Sequence, residues 1–184
     1  MKSEREKMLA GEPYVAADAE LGEMNLRAQT LLHAFNSSAP PEVVRRREII
    51  RSLFGAVGTG FEVKQPFFCD YGSNIYAGDN LFINYDCVVL DCNVVRIGDN
   101  VMLGPKVQIY TAHHPLEPEV RRTLIEMASP VSIGDDVWIG GGAIICPGVT
   151  IGRGTTIGAG SVVTRDIPGR VLAAGNPCRV VRAL

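Results

Sequence analysis

Two patterns of apolar residues divide the 184-residue chain. Up to about residue 60 the pattern is helical. In AELGEMNLRAQTLLHAF, Met24, Ala28, Leu31, Leu32 and Phe35 recur at i, i+4, i+7, i+8 and i+11, which is one face of a helix. Asn36, Ser37 and Ser38 stop it. Pro40 and Pro41 start a second helix with Glu42 near its positive end, and this helix carries Val43, Ile50, Phe54 and Val57 inward before Gly58. Residues 1–60 are therefore expected to form a helical cap, with His33 a structural residue on or near its packing surface.

The second pattern is a beat of six. From Ile133 the chain reads IGDDVW, IGGGAI, ICPGVT, IGRGTT and IGAGSV without a gap, and Val163 opens a further block. The fifth positions, Val137, Ala143, Val149, Thr155 and Ser161, are small or β-branched, and glycine or proline crowds the positions between. A helix does not use a period of six with this much glycine, and a half-buried strand shows a period of two. A coil of short strands joined by tight turns does fit, with the first residue of each block inward and three blocks per turn of 18 residues. The beat is also present at Ala77, Ile83 and Val89 and at Ile97, Leu103 and Ile109, with a shift of two at Val95–Arg96. Residues 61–184 read as one mainly β, parallel solenoid of hexapeptide repeats.

The beat stops once. Block 109–114 ends on His114, and residues 115–132 hold no hexad, with Pro115, Pro118, Glu117, Glu119, Arg121 and Arg122 opposing a packed strand. A loop leaving a rigid scaffold is a usual place for a site. An imidazole at that junction suits proton removal from a hydroxyl near neutrality. Two rival chemistries remain open on the residues alone. Covalent catalysis needs an activated nucleophile, and no Ser or Cys presents a recognised motif. Metal catalysis needs clustered ligands, but there are three histidines, one is in the leader, and His113 and His114 point to opposite faces of a strand.

Composition narrows the partners. With 18 basic and 20 acidic residues there is no electrostatic footprint for a nucleic acid. The first residues lack an apolar export segment, and no run approaches the ~20 apolar residues of a membrane span. The expectation is a cytoplasmic protein. The five cysteines are odd in number without a CxxC pair, so reduced, mostly buried thiols are expected rather than disulfides or a metal site.

The motifs AGEPY, FFCDYGSNI, INYDCVVLD, GDNVMLGP, TAHHP, VWIGGGAIICPGVTIG, GAGSVVTRDIP and AAGNPCRVVR, in this order, resemble the maltose and galactoside O-acetyltransferases and the related nodulation acetyltransferase. The resemblance covers essentially the whole chain. It implies a left-handed parallel β-helix with an N-terminal helical segment, acetyl-CoA as co-substrate, no metal, a sugar acceptor, and a homotrimer with sites between subunits. It makes His114, directly before proline, the general base of a direct transfer, and Asn84 a polar residue near the acceptor that also supports the oxyanion.

On the acceptor side the resemblance implies Tyr14, Asp18, Asp70, Asp91, Cys92, Glu126 and Trp138. Tyr14 and Asp18 follow the maltose-type pattern, Asp70 stands where a relative has serine, and Asp91 and Cys92 stand where relatives have two aspartates. Glu126 matches a carboxylate close to the base, and Trp138 a pocket wall. Coenzyme A contacts are implied for Gly141, Ala159, Thr164, Arg165, Arg179 and Arg182. Among these, Gly141 replaces a serine of some relatives and Arg165 a lysine. The acceptor expected is maltose- or glucose-like. One alternative is the same chemistry on another acceptor, such as a galactoside, a lipo-oligosaccharide or an antibiotic. The other is a non-catalytic scaffold binding partners through flat faces, which would need neither His114 nor the C-terminal cations.

Overall fold

The computed structural model describes residues 2–184. Three parallel sheets wrap one core. The first face holds Ala56–Val57, Ile75–Ala77, Val95–Ile97, Val131–Ile133 and Thr150–Ile151. The second holds Glu62–Val63, Phe82–Ile83, Met102–Leu103, Trp138–Ile139, Thr156–Ile157 and Val171–Ala174, and the antiparallel strand Arg179–Ala183 closes its edge. The third holds Phe67–Cys69, Cys87–Leu90, Gln108–Tyr110, Ile144–Ile145 and Val162–Val163. Each sheet pairs a strand with the next coil in register, so like residues stack: Ile83 on Leu103, then Ile139, then Ile157. All four are buried, and burial of each such side chain is worth about 1.5–3 kcal/mol.

The inward beat holds throughout, but the coils differ in length at one corner. Between the second and third faces the inward residues are six apart, as in Ile83 to Val89 and Ile139 to Ile145. Between the third and first faces they are eight apart in the early coils, Cys69 to Ala77 and Val89 to Ile97, and six apart in the last full coil, Ile145 to Ile151. The shift of two seen at Val95–Arg96 is this wider corner. The interruption after Ile109 leaves from the same corner, one coil higher.

The corner between the first and second faces is uniform. Asn80, Asn100 and Asp136 all adopt positive φ there, and Asn80 and Asn100 each donate to the residue one coil up, at 2.9 and 3.0 Å. Asn and Asp tolerate this left-handed conformation better than other side-chain-bearing residues. The fifth-position hydroxyls are satisfied internally: Thr155 donates to the Pro168 carbonyl and Ser161 to that of Gly158.

The structure differs from the sequence reading in four respects, three of them in the helical leader. A first helix, α1 (Glu4–Ala10), precedes the expected ones. It is set by a capping box between Ser3 and Glu6 and ended by Gly11 in the left-handed region. The long helix α2 (Ala19–Asn36) buries Leu21, Ala28, Leu32 and Phe35 as its spacing requires, yet His33 lies on the exposed side, not the packing side. The third helix, α3, runs only over Val43–Leu53, after Pro40 and Pro41. Its Val43 is exposed, while Phe54 and Val57 lie beyond its end, Val57 already in the first solenoid strand.

The fourth difference is the excursion after Ile109, which is not structureless. It contains a short helix, α4 (Pro118–Arg121), and a strand, Ile125–Ala128, before the solenoid resumes at Val131. All five cysteines are free thiols and four are buried. No helix among the described residues is long and apolar enough to cross a membrane.

Candidate functional site

The excursion does not fold alone. Its strand Ile125–Ala128 is the centre of a small antiparallel sheet, pairing on one edge with Tyr14–Val15 of the leader and on the other with Ala112–His113. Beneath it a second apolar cluster, separate from the solenoid core, joins Met8, Tyr14, Leu21, Tyr71, Cys92 and Ala128. Leader, widened corner and excursion thus enclose a cavity of about 420 Å³, lined in part by Leu21, Asn25, Asp70, Cys92, His114 and Glu126.

Behind its lining the buried Tyr14 donates its hydroxyl to Glu126 Oε2 at 2.9 Å, and within the lining Cys92 Sγ donates to Asp70 Oδ2 at 3.3 Å. Burial pushes the Asp70 carboxyl above its ordinary range, and the nearby Glu126 carboxylate adds to this against the Cys92 thiol. Burial also pushes the Cys92 thiol well up, with Asp70 reinforcing it, so this cysteine stays protonated and is a poor nucleophile. His114 is exposed at the cavity mouth. His113, one residue earlier, contacts Ser129 Oγ at 3.3 Å, away from the set of cavity-lining side chains.

Asp70, Cys92, Glu126 and His114 are therefore brought together in the lining, with the buried Tyr14 directly behind Glu126. Asp91 and Asp18 are not part of the lining. Asp91 is fully buried, and its carboxylate accepts from the backbone N–H groups of Asp70, Tyr71 and Asn74, stapling the corner under the cavity floor. Burial outweighs those three hydrogen bonds and raises its pKa to about 6. Asp18 is the N-cap of α2, accepting from Glu20 and Leu21, and so fixes the helix end that supplies Leu21 and Gly22 to the cavity wall.

The remaining residues lie elsewhere. Asn84 follows the second-face strand Phe82–Ile83, at the corner between the second and third faces. Its Oδ1 accepts from the Tyr85 N–H at 2.8 Å, leaving Nδ2 without a protein partner among the described residues. Gly141 and Ala159 stack above it on this corner. A Cβ on Gly141 would meet the Pro105 carbonyl at 3.0 Å, so glycine permits the close stacking of coils as well as clearing space. Arg179 reaches the top of the same corner by pairing with Ala174, and Arg182 pairs with Leu172 beside it. Trp138 is half exposed on the second face between Met102 and Thr156.

Thr164 and Arg165 sit on the third-to-first corner above the excursion, both exposed. None of Arg165, Arg179 and Arg182 is ion-paired to a carboxylate among the described residues, which leaves three surface cations available to an anion. Among the same residues no group of three or more His, Cys, Asp or Glu is placed to hold a metal ion. One residue of this site that sequence reasoning missed is Asn93, buried at the junction of leader, corner and excursion. Its only signal was position, on the corner where the beat slips by two.

Comparison with known proteins agrees with this architecture. The maltose acetyltransferase hexapeptide capping motif matches residues 7–58, and the bacterial transferase hexapeptide family (six repeats) matches residues 130–165. Nodulation protein L of Rhizobium leguminosarum bv. viciae is 51% identical over 97% of this chain and 94% of its own length. The crystal structure of a maltose O-acetyltransferase from Clostridium difficile 630 superposes with a TM-score of 0.99 at 52% identity, covering 100% of this chain and 98% of that one. A galactoside acetyltransferase in complex with coenzyme A superposes with a TM-score of 0.97 at 42% identity, covering 100% of this chain and 92% of that one. By motif, fold and near full-length identity, this chain belongs to the maltose and galactoside O-acetyltransferase family of hexapeptide-repeat acetyltransferases.

Proposed function

We propose that the protein transfers an acetyl group from acetyl-CoA to a hydroxyl of a sugar, with His114 as general base and a maltose- or glucose-like acceptor in the cavity. The observation that carries this reading is the convergence, at the one break in the repeat, of an exposed imidazole with a polar cavity. Asp70, Glu126 and Asn25 supply acceptors and donors of the kind that hold a polyhydroxylated ligand, and the Tyr14 hydroxyl, buried behind the lining, holds the Glu126 carboxylate. Acetyl-CoA supplies the activated acyl group. His114 accepts the proton of the attacking hydroxyl, which is scarcely ionised at neutral pH. The Asn84 amide, its Nδ2 free, donates toward the carbonyl oxygen as charge develops there. Arg165, Arg179 and Arg182 meet phosphates, and the small residues Gly141 and Ala159 leave a narrow path for the pantetheine arm.

The placement of these groups also supports sites shared between copies. His114 and Asn84 stand on different corners of the solenoid, separated by its third face. In a closed homotrimer of parallel solenoids, the corner bearing His114 in one copy faces the corner bearing Asn84 and Gly141 in its neighbour. Each trimer then has three sites.

The test is coenzyme A release from acetyl-CoA by wild type and His114→Ala with maltose, glucose, a galactoside and no acceptor. Stimulation by a sugar, lost by roughly 10²-fold or more in the variant, supports the reading. Equal rates for both proteins on every acceptor make His114 structural and overturn it.

A further inference from the structure

Asn93 is 2% exposed and has no part in the chemistry above, yet it makes hydrogen bonds to three other segments. Its side-chain Nδ2 donates to the carbonyls of Met8 at 2.9 Å and Leu9 at 3.3 Å at the end of α1, where Met8 also accepts from the Gly11 N–H. The same Nδ2 donates to the carbonyl of Ala128 at 3.1 Å, at the end of the excursion strand that carries Glu126. Its backbone N–H donates to Thr111 Oγ1 at 2.8 Å, three residues before His114, and Thr111 in turn donates that hydroxyl to the Leu90 carbonyl. Its Oδ1 accepts from the Val94 N–H at 2.7 Å, which fixes the rotamer.

We infer that Asn93 is a positioning residue for acceptor recognition: one buried amide sets where the leader, the start of the excursion and its return strand stand relative to one another. Tyr14, His114 and Glu126 are each carried by one of those three segments, so their mutual geometry passes through Asn93. No other side chain except a glutamine offers two donors and an acceptor at one planar group, and glutamine is one methylene too long for this closed junction. Among the described residues, no hydrogen bond of Asn93 or of the Thr111 side chain reaches the solenoid stack from Ile133 onward, which carries Gly141, Ala159 and Arg179. This inference rests on the assignment of the cavity to the acceptor.

Two full-length variants test it, Asn93→Ala and the milder Thr111→Val, by amide hydrogen exchange and by steady-state kinetics. Exchange is expected to rise in residues 111–129 and at the end of α1 while residues 133–163 keep wild-type protection. The acceptor kcat/KM falls roughly 10- to 10²-fold while the KM for acetyl-CoA moves less than about twofold, since small misplacements of reacting groups are amplified in rate. Wild-type exchange in residues 111–129, or acceptor and acetyl-CoA constants falling together, overturns the inference. Thr111→Val decides by the same criteria if Asn93→Ala does not fold. A wild type that acetylates no sugar defeats the acceptor reading alone, because the exchange pattern still reports on Asn93.

Discussion

Two corners of the same solenoid solve different problems. At the corner bearing Asn84, Gly141 and Ala159 the chain turns in six residues, and successive coils approach until a Cβ on Gly104 or Gly140 would collide with the coil above, at 2.5 Å. At the corner bearing Asp70, Cys92 and His114 the early coils carry two extra residues and the third carries a whole excursion, stabilised by its own sheet and its own apolar cluster. The first corner owes its shape to repetition and has almost no side chain to spare for chemistry. The second abandons repetition, and polar groups that a stacked coil would exclude collect there. Fidelity of the repeat and chemical capacity trade against each other along one chain.

The contrast can be broken from the stack side first. Ile139→Ala opens a cavity between Leu103 and Ile157 and should cost about 2–5 kcal/mol in urea unfolding, while kcat/KM per folded molecule stays near wild type. A loss of activity at full occupancy of the fold would mean that the two regions are not separable. Next comes the staple under the widened corner. Because the Asp91 pKa is raised from 3.8 to about 6, its contribution to stability is complete below about pH 4 and is lost as pH rises through 6. The difference in unfolding free energy between wild type and Asp91→Asn should therefore drift by roughly 1–3 kcal/mol between pH 4 and 7, disfavouring wild type at the higher pH. A flat difference would show that the three backbone donors, not burial, decide its charge.

The smallest effect belongs to the uniform corner. Asn100→Ala forces a left-handed backbone on a residue that resists it and removes two ladder hydrogen bonds on the surface, for about 1–2 kcal/mol. It should leave every kinetic constant unchanged. A change in acceptor or acetyl-CoA kinetics would tie this corner to the site.

Much of this was legible in the sequence because the solenoid writes its geometry as a period. The inward residues from Ala77 to Val163, the slip at Val95–Arg96 and the stop at His114 all have direct counterparts in the coils. What escaped was non-periodic. The capping box at Ser3 and Glu6 opens a helix of only seven residues with no apolar face to announce it. The strand Ile125–Ala128 exists because Tyr14–Val15 and Ala112–His113 offer edges on both sides, partners more than 100 residues apart in the chain on one of those edges. Asp91 was read as an acceptor contact, whereas its carboxylate faces three backbone donors whose convergence depends on how the corner folds. His33 was misplaced because it neighbours the apolar stripe of α2 in sequence while its side chain falls on the exposed side.

The proposed site is shared between copies, its imidazole coming from one and its Asn84 amide from the next. The most direct test is to dissociate His114→Ala and Asn84→Ala, each expected to be inactive alone, mix them in equal amounts, reassemble them and measure acetyl transfer to the best acceptor. Random reassembly of shared sites restores about a quarter of wild-type activity, because one site in four draws both intact groups from its two contributing chains. A mixture no more active than the separate variants would place both groups in one chain's site and contradict the account.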